Sequence, residues 1–233
     1  MNVYALTPTG ARPEGLALLG EYLNAQTYQG PLTWVIVDDC IPTARVPRTR
    51  DGIDVIHVRP PWKWQPGTNT QAACMAAGLE HVPDDAILFI LEDDDVYLPD
   101  YLDTMLEAME DLDLAGERDA RYYNIETGRQ RTIRGKIHSS MASTVCRGAA
   151  LALLRALCRS GLTRMLDVTL WKQFRGPKTL MPTYNVVGIK GLPGRPGIGV
   201  GHRRRFGSVD TTNILRQWAG DYAENYNYFR SPV

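Results

Sequence analysis

Apolar positions along the first hundred residues fall into short unbroken runs separated by periodic segments. Val3-Tyr4-Ala5-Leu6-Thr7 reads as a strand, Pro8 to Pro13 as a turn, and Glu14 to Gln26 places Leu16, Leu19 and Leu23 on one helical face. Trp34 to Val37 predicts a second strand that ends in Asp38-Asp39, and the more alternating Ile53 to Val58 predicts a third, stopped by the proline-rich Arg59 to Gly67. An Ala-rich helix is expected over Asn69 to Glu80, with Thr68 or Asn69 as its N-cap. Ile87 to Leu91, five apolar residues in a row, predicts a strand buried on both faces. Pro99 to Leu112 follows as a helix with Leu102, Met105, Leu106 and Met109 turned inward and Gly116 just past its end. Such alternation predicts βαβ units, and hence a single α/β domain built on a mostly parallel sheet flanked by helices.

After residue 115 the texture changes. Tyr122 to Arg134 reads as a hairpin turning at Thr127-Gly128, and Ala149 to Leu157 and Leu162 to Phe174 read as helices. From Tyr184 onward glycine and proline dominate, so no regular element is expected across Gly188 to His202. The Tyr- and Asn-rich Trp218 to Phe229 suggests no role.

Composition narrows the picture only a little. The chain has 233 residues, and its 26 Lys and Arg balance 26 Asp and Glu, so any electrostatic footprint must be local. Cys40, Cys74, Cys146 and Cys158 lack a C-x-x-C spacing and read as small core residues in a reducing compartment, which argues against zinc. No run reaches the ~18 apolar residues that cross a bilayer, and the amino terminus lacks a charged-then-apolar leader, so a cytoplasmic protein is expected.

The candidate chemistry starts at Glu92-Asp93-Asp94-Asp95, four acids at the carboxyl end of an apolar strand. Burying even one unpaired carboxylate costs several kcal/mol, so a cation is expected to sit on them. Hard oxygen donors at the carboxyl edge of an open α/β sheet suit Mg²⁺ or Mn²⁺ carrying a phosphate. The plainer reading is a solvated acidic turn that caps the next helix.

In order and spacing, the first-strand loop, Asp38-Asp39, the Asn69 helix and Leu91-Glu92-Asp93-Asp94-Asp95-Val96-Tyr97-Leu98-Pro99 resemble GT-A glycosyltransferases, above all the family 2-like inverting enzymes. Pro99-Asp100-Tyr101-Leu102 matches the P-D-x-L with which the helix after their acidic motif often begins. The resemblance covers roughly residues 1–115. It implies transfer of a sugar from a nucleoside diphosphate sugar, most simply a UDP-sugar, with Asp94 as metal ligand under either a D-x-D or an E-D-D register. Asp95 is a further candidate ligand, and Glu92 stands where D-x-D enzymes carry Asp. Thr7, Arg12, Asp38, Asp39, Glu92 and Asp93 would then border the donor, although Asp38 and Asp39 suit turns equally well.

By the same resemblance residues 1–115 form the donor half and residues 116–233 the acceptor and catalytic half, with a glycine-rich loop over 188–207. An inverting enzyme needs a general base, and Asp167, an acid in an otherwise apolar segment, is the candidate; helix capping would explain it as well. Lys190, Arg195, His202 and Arg203 punctuate six glycines between Gly188 and Gly201. The resemblance makes Lys190 and Arg195 diphosphate contacts and His202 a metal ligand, where a structural turn is the alternative.

Arg129, Arg131, Arg134 and Lys136, together with Arg203-Arg204-Arg205, form local basic runs interleaved with Tyr122, Tyr123, Trp62, Trp64 and Phe206. Together with the late Gly-Leu-Pro-Gly-Arg-Pro-Gly run they resemble small phage-type enzymes that glycosylate hydroxymethylated pyrimidines in DNA, which would place the protein in the host cytoplasm. The plainer account is a solvated face. Carbohydrate or protein acceptors, a non-catalytic nucleotide-binding module and a nucleotidyltransferase remain as rivals, although Thr7-Pro8-Thr9-Gly10-Ala11-Arg12 fits the last poorly.

Overall fold

A computed structural model describes residues 2–135, 137–162, 164–195 and 205–229. The first four strands, β1 (Val3–Thr9), β2 (Leu32–Asp38), β3 (Ile53–Val58) and β4 (Ile87–Ile90), lie parallel in the order β4-β1-β2-β3, with helices α1 (Pro13–Asn24) and α2 (Gln71–Leu79) as crossovers. Burial on both faces explains their apolar runs. Val3, Ala5, Trp34, Ile36 and Phe89 pack with Leu16, Leu19 and Leu23 of α1, whereas Leu6, Val35, Val37, Leu88 and Ile90 pack with Cys74, Met75 and Leu79 of α2.

The sheet is mixed rather than uniformly parallel. Beyond β4 the chain makes β5 (Asp95–Tyr97), α3 (Tyr101–Ala108) and β6 (Leu114–Glu117), and β9 (Thr144–Cys146) then wedges antiparallel between β4 and β6. β10 (Lys178–Met181) closes that edge, parallel to β6. The hairpin is present as β7 (Asp119–Asn124) and β8 (Arg129–Arg134), with Gly128 at φ +60° in its turn. It belongs to a second sheet, ordered β12 (Ser208–Val209), β8, β7, β11 (Val186–Lys190), β5.

Strand β11 corrects the expectation that no regular element forms after Tyr184. All five of its residues are buried, and a Cβ on Gly188 would lie 2.5 Å from Cδ1 of Tyr122. That glycine marks a close approach of ring to backbone, not a loop. Gly116, expected beyond a helix end, lies inside β6, where a Cβ would meet Ser139 at 2.5 Å. Helix α3 is accordingly shorter than its apolar spacing suggested. Thr70 is the residue before α2, one or two positions later than expected, and Asn69 Oδ1 accepts the Gln71 N–H at 3.1 Å. Helices α4 (Gly148–Arg159) and α5 (Leu166–Gln173) cover the α2 side.

The carboxyl-terminal segment forms α6 (Ile214–Ala219) and a 3₁₀ helix (Gly220–Phe229), and Tyr226 Oη meets Tyr22 Oη of α1 at 2.8 Å. Its aromatic content is therefore partly core. All four cysteines are free, with only Cys40 reaching the surface. Among the described residues no helix is long and apolar enough to cross a membrane.

Candidate functional site

The carboxyl ends of β1, β2 and β4 meet the end of β11 at one corner. β4 delivers Glu92 to Asp95, and these acids are held by cations from both directions. Arg12, from the loop after β1, reaches Asp93 at 2.7 Å and Asp94 at 3.3 Å. Lys190, the last residue of β11, reaches Asp94 at 3.0 Å and Asp95 at 3.1 Å. Thr9 Oγ1 adds a 2.6 Å hydrogen bond to Asp93, and the Ile189 N–H donates to Asp95 Oδ1 at 3.2 Å. Glu92 accepts from Gln71 Nε2 at 2.9 Å, and its own N–H donates to Tyr97 Oη at 2.8 Å. These contacts fix the acids in place before any ligand arrives.

Electrostatics here are unbalanced. Burial raises Asp93 and Asp95 above the usual carboxylate range, with Asp94 adding repulsion and with Arg12 and Lys190 opposing the rise. Desolvation pushes Glu92 up to about 7. Burial would lower Lys190, but Asp94, Asp95 and Glu92 outweigh it and hold the ammonium well above its ordinary range. Four carboxyl groups thus face two cations, an arrangement that favours a further cation. One ligand oxygen each from Glu92, Asp94 and Asp95 lie within 4.8 Å of one another, so a divalent ion fits this donor set.

Next to the acids stands a second group of paired side chains, which forms an adjoining wall. Asp39, fully buried, pairs with Arg195 at 2.8 Å and accepts from Thr70 Oγ1 and, at 3.3 Å, from Cys74 Sγ. The Arg195 guanidinium sits 4.9 Å from the centroid of the Trp64 ring. Arg12 Nε also donates to the Arg195 carbonyl at 3.0 Å, which ties the two walls together. Gly10 fits between them because a Cβ there would stand 2.4 Å from Asp39 Oδ1.

The other expected residues fall into different places. Thr7 is buried in the core, where its hydroxyl accepts from Trp34 Nε1 at 2.9 Å; Thr9, two positions on, is the threonine at the acids. Asp38 accepts the N–H groups of Cys40 and Ala44 at 3.0 and 2.8 Å, the turn role that its residue type also allowed. Asp167 stands in the first turn of α5, accepts the Val168 N–H at 2.8 Å and is half-buried. Burial raises the Tyr122 phenol, Lys190 opposes the rise, and Asp95, Glu92 and Asp167 add to it; that ring's centroid lies 5.5 Å from Lys190 Nζ.

The basic hairpin is only partly available. Arg129 donates to the carbonyls of Phe206 and Gly207 at 3.2 and 2.6 Å, and Arg131 lies 5.6 Å from the Phe206 ring centroid; Arg131 and Arg134 are exposed. Tyr122 packs edge-on to Phe206, and Tyr123 is core. Lys136, His202, Arg203 and Arg204 lie outside the described residues. Thr70, Gln71 and Tyr97 escaped sequence reasoning, and Thr9 entered it only as part of the Thr7 to Arg12 loop expected at the donor. Only Thr9 carried a signal, its two-residue spacing from Thr7 along a strand that runs to Thr9.

No family model and no curated protein matches the sequence. Solved structures do match in shape. Residues 1–349 of S. aureus TarS in complex with UDP-GlcNAc superimpose at a TM-score of 0.54 with 11% identity, over 84% of this chain and 60% of that one. The fold is of the GT-A type. The same portion of TarS in complex with UDP gives a TM-score of 0.52 at 12% identity, covering 81% of this chain. The chain thus spans about three-fifths of the length of these neighbours.

Proposed function

We propose that the protein is a metal-dependent inverting glycosyltransferase that uses a nucleoside diphosphate sugar, with a UDP-sugar as the favoured donor. The observation that carries this reading is the clustering of Glu92, Asp94 and Asp95 oxygens within 4.8 Å at the end of β4, in a fold shared with a protein solved with UDP-GlcNAc and with UDP. Glu92, Asp94 and Asp95 would hold a divalent ion, with His202 as the further ligand that the resemblance implies. Such an ion would supply Lewis-acid neutralisation of the departing diphosphate.

The chain's own residues do the rest. Arg12 and Lys190 supply fixed positive charge beside the acids, where a diphosphate would lie. Asp39, Thr70 and Trp64, with Arg195, form the wall that would border the nucleoside, since a carboxylate and an aromatic face suit the N–H edge and the plane of a base. Asp167, half-buried in the first turn of α5, would take the proton from the acceptor hydroxyl. For the acceptor, a hydroxymethylated pyrimidine in DNA rests, among the described residues, on the exposed Arg131, Arg134 and Arg205, because Arg129 is engaged elsewhere. Carbohydrate and protein hydroxyls are the competing acceptors.

Titration calorimetry with uridine and guanosine diphosphates, with and without Mn²⁺, tests the donor half. Diphosphate binding that strengthens with Mn²⁺ and loses that response in Asp94→Ala is expected; no diphosphate binding would overturn the reading. Asp167→Asn separates catalyst from binding module: it should abolish transfer and leave diphosphate affinity unchanged. Nucleoside mass spectrometry after incubation with hydroxymethylated DNA and nucleotide sugars decides the acceptor.

A further inference from the structure

We infer that Lys190 makes uptake of the divalent ion conditional on the diphosphate, by occupying the ion's carboxylates until a phosphate oxygen is present to receive its ammonium. The inference rests on the metal reading above. Lys190 Nζ lies 3.0 Å from Asp94 Oδ2 and 3.1 Å from Asp95 Oδ1, two residues of the three-acid set that would hold the ion. An ion taken by these carboxylates and an ammonium hydrogen-bonded to them compete for the same lone pairs and repel each other at close range. The ion is held weakly until the ammonium moves.

The backbone of Lys190 cannot leave. β11 is paired with β7 on one side and β5 on the other, and Lys190 stands opposite Asn124 in that register. Only the side chain can swing, and it starts buried, with the Tyr122 ring 5.5 Å from Nζ. An ion that arrives alone draws the carboxylates away from a buried ammonium, and a buried cation that loses part of its pairing costs free energy. An ion that arrives with a diphosphate brings the replacement anion, so the ammonium moves from carboxylate to phosphate and stays paired. By linkage, the ion must then raise diphosphate affinity by the same factor as the diphosphate raises that of the ion.

Free Mn²⁺ measured by electron paramagnetic resonance tests this without any turnover. Wild type, Lys190→Met and Lys190→Gln are titrated with Mn²⁺ alone and with saturating UDP, and circular dichroism confirms that each is folded. Gln keeps an N–H donor toward the carboxylates and is the variant to use should Met prevent folding. The neutral variants are expected to bind Mn²⁺ alone about tenfold or more tighter than wild type, and to show a correspondingly smaller gain from UDP. Mn²⁺ affinity in the absence of UDP that is equal to or weaker than wild type in a folded neutral variant overturns the inference while leaving the metal site intact. If no protein takes up Mn²⁺ even with UDP bound, the metal reading itself falls.

Discussion

Gly15→Ala is the sharpest test of how the acid corner is built, because it adds one carbon where helix α1 meets the backbone of the acidic segment. A Cβ on Gly15 would stand 2.6 Å from the Asp93 carbonyl oxygen, against an ordinary contact of 3.4 Å or more, so helix and acids must part by about 0.8 Å. On stability two effects compete. Overpacking costs ~1–3 kcal/mol, and replacing a helical glycine by alanine returns ~1 kcal/mol. The net loss of ~0–2 kcal/mol lowers the melting temperature by at most ~8 °C at ~2–4 °C per kcal/mol.

The site should suffer far more, since a displacement approaching 1 Å at positioned groups can cost ~100-fold. Calorimetry with UDP and Mn²⁺, beside a thermal melt, should show a mildly destabilised protein whose diphosphate affinity falls about tenfold or more. Gly20→Ala is the control. On the same helix its Cβ meets Pro47 at 2.4 Å, so it should lower stability and leave UDP binding alone. Wild-type UDP affinity in a folded Gly15→Ala protein would refute the claim that this contact sets the position of Asp93 and Asp94.

Two further outcomes follow from groups outside that contact. Burial pushes Glu117 up to about 7 from an ordinary 4.5, although it accepts the N–H groups of Asn185 and Val186. The folded state therefore holds this proton more tightly than the unfolded one, and Glu117's contribution to stability is complete below pH ~4.5 and lost as the pH rises toward ~7, up to ~3 kcal/mol. Urea unfolding at pH 5 and pH 8 should show that loss in wild type and less of it in Glu117→Gln; parallel pH profiles would contradict it. Arg129→Ala should release the 206–209 segment, read as loss of hydrogen-exchange protection there, with acceptor KM unchanged; a raised KM with intact protection would restore Arg129 to the acceptor site.

The first 115 residues of the fold were largely legible because their strands are buried on both faces, and such strands appear in sequence as unbroken apolar runs. Strands β6, β9, β10 and β11 were not, for they are short and their glycines, Gly116 and Gly188, serve close packing that looks like loop composition. At the site, four adjacent acids announced a cation, but Arg12 and Lys190 could be matched to Asp93, Asp94 and Asp95 only by tertiary structure. Asp38 and Asp39 were indistinguishable in sequence. One turned out to bind loop amides and the other Arg195, a difference set by which side of the β2 terminus each side chain leaves.

The pairing of Lys190 with Asp94 spans 96 residues of chain, and this separation bears on how the protein is made. As the polypeptide emerges from the ribosome, β1, β2 and β4 are available early, yet one edge of β4 waits for Thr144–Cys146 and half the charge on its acids waits for Lys190. The acid corner lacks the second of its two cations until most of the chain has been synthesised. A nascent chain halted before Lys190, or a fragment cut there, therefore carries an open strand edge or an unbalanced anionic cluster, the sort of intermediate that chaperones hold and proteases remove.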